Sequence, residues 1–179
     1  RYYADEIPVK YGRAIKTPYI KGGKKDLKKD YTKEQIDSIR KNLHNVLWGG
    51  GGTDDNEVFS SLVNIILAKI QDESEKRTGE KYDFQSFAFS TDEGDAFETN
   101  EDLFNRINNL YRRALKERMY ITEQNRIDKS FVINEEKFSL TKLKYAIMVL
   151  EKYSLVDGKN IYDGKDILLV NNENCVVAT

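Results

Sequence analysis

Cysteine, proline and histidine are nearly absent from this sequence, and so is any surplus of charge. The single cysteine, Cys175, excludes an internal disulfide. The single histidine, His44, has no second histidine and no cysteine nearby, so no metal-ligand set forms around it. No Ser/His/Asp or Cys/His nucleophile set can be proposed from one His and one Cys. Both prolines, Pro8 and Pro18, fall near the start, which leaves the rest of the chain open to long helices. No apolar run approaches the length of a membrane span. Lysine and arginine number 29 against 30 aspartates and glutamates, a formal net charge of -1. Total charge therefore gives no argument for nucleic acid, and its distribution has to be read instead. No charged-then-apolar leader opens the chain, so a cytoplasmic location is expected. Opening on Arg1 without a methionine, the chain is expected to be a fragment or a processed product.

At 179 residues, 39% apolar and 33% charged, the chain suits one domain with appended segments. Its organising stretch is LHNVLWGGGGTDDNEVFSSLVNIILAKIQDE, from Leu43 to Glu73. Glycine ends helices by tolerating left-handed backbone, and Thr, Asp and Asn side chains accept hydrogen bonds from the first free amides of the next helix. Two helices joined by a glycine turn are therefore expected here. The segment Val58 to Ile70 is apolar nearly all round, which predicts the central helix of the core, with Phe59 and Ile66 among its buried residues.

Three further helices follow from periodicity. Thr32 and Gln35 fit a capping box, and Ile36, Ile39, Leu43, Val46 and Leu47 recur at helical spacing, predicting a first helix over 33–47. The central helix is placed at 56–73. A third, capped by Asn100 and spanning 102–119, carries Leu103, Phe104, Ile107, Leu110, Tyr111, Ala114 and Leu115 on one face. A fourth, at 140–153, starts at Ser139 and carries Leu140, Leu143, Ala146, Ile147, Leu150 and Tyr153. Complementary stripes predict a mainly α fold, a bundle of about four principal helices.

Between the helices, Tyr82 to Phe97 is expected to be loop or short helical pieces whose aromatics dock on the core. Residues 125–137 read as loop with an extended piece at Phe131, Val132 and Ile133. Residues 1–31, with both prolines and the pair Gly22 and Gly23, form an irregular basic arm. Residues 169–179 are a tail or a small C-terminal β-hairpin around Asn171 to Asn174.

The helix pattern with its glycine run, continued through NEDLFNRINNLYRRALKE (Asn100 to Glu117) and LTKLKYAIMVLEKYSLVDGKNIYDGKDIL (Leu140 to Leu168), resembles the N-terminal helical domain of N6-adenine DNA methyltransferases. The similarity is to the modification-subunit type of type I restriction-modification systems and covers about residues 32–168. It implies a non-catalytic helical domain whose partners are DNA, the catalytic methyltransferase domain and a specificity or restriction subunit. S-adenosylmethionine is expected in the parent enzyme and no cofactor in this chain. The family's Asn-Pro-Pro-aromatic motif is missing, and the run from Gly49 to Gly52 follows a helix, whereas a cofactor-binding glycine turn follows a strand. The nuclease-like Glu135-Glu136-Lys137 has no upstream Pro-Asp partner.

Two basic clusters are candidate contacts for DNA phosphates: Lys24, Lys25, Lys28 and Lys29 in the arm, and Arg106, Arg112, Arg113 and Lys116 on the third helix. The competing reading is a solvated loop and a water-facing, solubilising helix side. These helix positions are expected to face water, so reversing Arg112, Arg113 and Lys116 should leave folding nearly untouched. The alternative function is a free-standing helical protein–protein interaction module with no DNA role.

Overall fold

The computed structural model describes residues 13–14, 16–49, 54–91 and 94–157. The described residues form five helices and a small sheet in the order β1 (Arg13–Ala14), α1 (Lys33–Trp48), α2 (Asp55–Glu75), β2 (Ala88–Thr91), β3 (Gly94–Phe97), α3 (Asn100–Glu117), α4 (Gln124–Asp128) and α5 (Leu140–Leu150). The fold is mainly α, a helical bundle. The C-terminal hairpin expected from the sequence lies outside the described residues, as do Gly50, Gly51, Gly52 and Thr53.

Each long helix begins on a side chain that accepts from an otherwise unpaired amide. Thr32 and Gln35 make the full capping box of α1. Asp54 accepts from Asn56 N at the start of α2, Thr99 from Asp102 N before α3, and Ser139 from Lys142 N before α5. The cap of α3 is thus Thr99, one residue ahead of the expected Asn100.

The glycine that ends α1 works differently from expectation. Gly49 has φ -66° and ψ 144°, extended and not left-handed. What excludes a side chain there is space: a Cβ would stand 2.2 Å from the Asn45 carbonyl oxygen. Across the turn, Trp48 Nε1 donates to Asp55 Oδ1 (3.0 Å), clipping α1 to α2. His44 is exposed and stacks on Trp48 with ring centroids 5.2 Å apart, so it is a surface residue of this hairpin.

α2 packs along α3, α1 along α5, and α3 also meets α5. Val58, Leu62, Ile65, Ile66 and Ala68 of α2 are buried among Ile107 and Leu110 of α3, Ile36, Ile39 and Leu47 of α1, and Leu143, Ile147 and Leu150 of α5. Phe59, expected in this core, is only half-buried and stands outside it. Burial also runs past that apolar segment, taking in Lys69 within it and the polar Gln71, Asp72 and Glu73 beyond it.

Three loop expectations are corrected. Residues 88–97 form the antiparallel β2–β3 hairpin, with Ala88 opposite Phe97 and Thr91 opposite Gly94, and β1 pairs on its other edge. Residues 124–128 make the short helix α4, while Phe131, Val132 and Ile133 belong to no strand. The third helix stops at Glu117, where Tyr120, 82% exposed, takes φ +53° and turns the chain. The fourth stops at Leu150 because Lys28 N donates to Lys152 O (2.7 Å) and Ser154 N to Lys28 O (2.9 Å), drawing the chain out of helical register. Among the described residues no helix is long and apolar enough to cross a membrane.

Truncating Ile66 to alanine is expected to lower unfolding stability by about 2–5 kcal/mol, as large-to-small core changes do. Phe59→Ala should cost clearly less. Urea midpoints at an unchanged m-value measure both, and equal losses would contradict the burial difference.

Candidate nucleic-acid interface

The candidate lysines sit on a segment that is bound to the helices through buried charge. Glu73 pairs with Lys69 (3.4 Å), accepts from Ser154 Oγ (2.5 Å) and takes the Leu155 amide at 2.9 Å. Asp72 accepts from Phe84 N (2.8 Å) and Asp83 N (3.2 Å). Glu151 accepts from Ser86 N (3.0 Å) and pairs with Lys16. Three carboxylates therefore hold the 83–86 loop, the chain after α5 and the N-terminal arm on one side of the bundle. Burial pushes the Lys69 ammonium down from its usual range, with Glu73 and Asp72 opposing that push. Its Nζ also lies 5.2 Å from the Phe84 ring centroid. Burial, and then the Glu73 charge, push the Tyr31 phenol up to about 12, and its hydroxyl donates to Ser154 O (2.5 Å).

On this base the arm is a pinned loop. Lys21 Nζ donates to Glu73 O (2.9 Å), and the Lys21 backbone pairs with Gly79 and Glu80. Gly22 turns with φ +73°, its amide held by Asp26 Oδ2 (2.7 Å). Two Asp26 oxygens are satisfied by Gly22, Leu27 and Tyr82, and these bonds outweigh burial to hold its carboxyl below the usual range. Tyr19, Leu27 and Tyr82 form a small apolar cluster beneath.

The four arm lysines fare unequally. Lys24, Lys28 and Lys29 are exposed. Lys25 is turned back, donating to Thr17 O (2.5 Å) with its ammonium 4.3 Å from the Tyr19 ring centroid. Burial lowers its pKa, and so do Lys16 and Lys152. Exposed Lys152, 124 positions after Lys28 yet paired to it through the backbone, joins this basic side of the molecule. Nothing in local sequence could have signalled it, since the pairing is purely tertiary.

The arginines of α3 are occupied with the fold, which corrects the expectation that they face water. Arg106 donates to Asp83 O (2.9 Å) and Gln85 O (2.7 Å), pairs with Glu98 and lies 4.6 Å from the Phe87 ring centroid. Arg112 donates to Ser130 O (3.0 Å) and Asp128 O (2.8 Å). Arg113 pairs with Glu75 at 2.6 Å. Lys116 is exposed. Each arginine spans from the helix to a neighbouring segment, so their reversal would disturb folding as well as surface charge.

Asp72, Glu75 and Asp83 bring carboxylate oxygens within 4.8 Å of one another, in the manner of a cation site. The chain's own cations serve it: Lys76 lies 2.6 Å from Asp83 and 3.6 Å from Asp72, and Arg113 binds Glu75. The chain matches no protein-family model, and no curated protein matches it significantly.

Burial pushes Asp72 up to about 6, against the Phe84 and Asp83 amides and Lys76, which lower it. The unfolded value is about 3.9. A carboxyl raised on folding holds its proton better in the folded state, so its stabilising contribution is full below about pH 4 and is lost as pH rises towards about 6. The stability of the native chain relative to Asp72→Asn should accordingly fall by on the order of 2 kcal/mol between about pH 4 and pH 7. Denaturant unfolding of both proteins across that range measures it, and a difference flat with pH would contradict the raised value.

Proposed function

We propose that this chain is the non-catalytic helical domain of an S-adenosylmethionine-dependent N6-adenine DNA methyltransferase of restriction-modification type. It touches the DNA backbone through the pinned lysine loop, while catalysis belongs to a separate domain carrying the Asn-Pro-Pro-aromatic motif absent here. The observation that carries the DNA side is the exposure of Lys24, Lys28 and Lys29 on a loop held at both ends by backbone hydrogen bonds, with Lys152 beside it. A rigid display of ammonium groups suits phosphate contact, because little side-chain and loop freedom beyond the lysines themselves is lost on binding. The resemblance over residues 32–168 supplies the enzyme class, and a mainly helical fold is compatible with it. Cytoplasmic location and contact with the catalytic domain and a specificity or restriction subunit belong to the same reading.

A free-standing interaction module is the second reading. It is favoured by the engagement of Arg106, Arg112 and Arg113 within the fold, which removes most of the basic helix face from any phosphate.

Reversal of Lys24, Lys28 and Lys29 to glutamate is expected to weaken duplex binding by the parent enzyme about tenfold or more at low salt. The loss should be equal on unrelated sequences, with the slope of log affinity against log salt reduced by about 2–3. Fluorescence anisotropy on two unrelated duplexes reads both. Unchanged affinity, or a parent gene lacking the Asn-Pro-Pro-aromatic motif, would favour the interaction module.

A further inference from the structure

On α2 and the loop that crosses it, the chain builds a groove of about 500 Å³ whose charge is opposite to that of the lysine loop. Glu57, Ser61 and Asn64 of α2 line one wall, and Phe131, Glu135 and Glu136 line the other. The loop wall is fixed in place: Asn64 Nδ2 donates to Val132 O (3.1 Å), and Val132 N donates to Asn108 Oδ1 of α3 (2.8 Å). Ser61 is 1% exposed, and its Oγ is the one buried side-chain polar atom among the described residues that has no hydrogen-bond partner. An unpaired buried hydroxyl is costly, so a site that keeps one gains when a ligand completes it. At the rim, none of the ion pairs among the described residues involves Glu57, Glu135 or Glu136. Phe131, half exposed, adds a flat apolar surface and already has the Arg112 guanidinium 5.0 Å from its ring centroid.

We infer that this groove receives an arginine side chain from a partner protein. Three carboxylates exclude a phosphate-bearing ligand by repulsion. They do not gather three ligand atoms within 4.8 Å, as Asp72, Glu75 and Asp83 do, so a single metal ion fits poorly. A guanidinium suits the spread: it is planar, weakly hydrated, stacks on aromatic rings and carries five donors in a fixed fork. Its donors meet the rim carboxylates and the Ser61 oxygen while its plane lies against Phe131. The occupant is a segment of protein because the groove opens to solvent, and arginine is a residue enriched at protein interfaces. This assignment is independent of the lysine loop and of its contact with DNA.

Titration of the ¹⁵N-labelled 179-residue chain with a capped tri-arginine peptide tests it, with capped tri-lysine, magnesium chloride and adenosine monophosphate as comparators. Saturable shifts are expected at the amides of Ser61, Asn64 and 132–136, with a dissociation constant of about 1 mM or below. The combined Glu57→Gln, Glu135→Gln, Glu136→Gln variant should lose about tenfold or more in affinity, roughly 1.4 kcal/mol. Ser61→Ala should weaken the peptide about threefold or more without lowering the unfolding midpoint, since it removes only an unpaired hydroxyl. Failure to saturate at these amides, full affinity in the triple variant, or an equal or stronger response there to tri-lysine, magnesium or the nucleotide would overturn the assignment.

Discussion

A carboxylate almost without exposure stands where three stretches of chain, remote in sequence, come together. Glu73 is 5% exposed, and burying an acidic side chain is tolerable only when it is paired and hydrogen-bonded. Lys69 supplies the charge, and Ser154 and the Leu155 amide supply the bonds. Such a group adds little net stability compared with a well-packed apolar side chain, but withdrawing any partner leaves it uncompensated. Its effect is therefore on specificity: the chain after α5 has one place to run. Asp72 does the same for the 83–86 loop through two amides, and Glu151 ties that loop to Lys16. The bundle could be assembled from apolar stripes alone, whereas the segments that wrap it follow these three acids.

That division also explains what could be read from the sequence. Helix existence is a local property: the spacing of Ile107, Leu110 and Ala114, or the Thr32 and Gln35 pair, carries its own signal within a few residues. Lys69, Asp72 and Glu73 carry no comparable signal, because a charged cluster after an apolar run ordinarily marks the return to water. Their burial depends on residues 83–86 and 154–155, which no window around α2 contains. The hairpin at 88–97 was missed for a similar reason, its strands being four residues each and short of the alternation that identifies a strand.

The arginines of α3 show the same limit at the candidate site. Amphipathicity identifies the side of a helix turned from the main core, and says nothing of whether a loop later covers that side. Arg106 is covered by the 83–87 loop and Glu98, and Arg112 by residues 128–131. Arginine forms such tethers well because its fork reaches two acceptors at once. Lys24, Lys28 and Lys29, in contrast, were legible as a basic run and are indeed at the surface; what the sequence lacked was the rigidity of the loop that presents them. The acid-lined groove had no sequence signature, since Ser61 is an ordinary helix residue until its hydroxyl is found without a partner.

The backbone pairing between Lys28 and residues 152–154 makes distant parts of the chain share one opening event. Amides that exchange with solvent do so when a cooperative unit opens, and the unit here joins the lysine loop to the segment leaving α5 and, through Glu73, to the end of α2. A ligand that binds only the closed loop would slow exchange not just at residues 21–29 but also around Ser154 and Leu155, more than 120 positions onward. The order of the segment leaving α5, around residues 152–155, thereby depends on the state of the lysine loop.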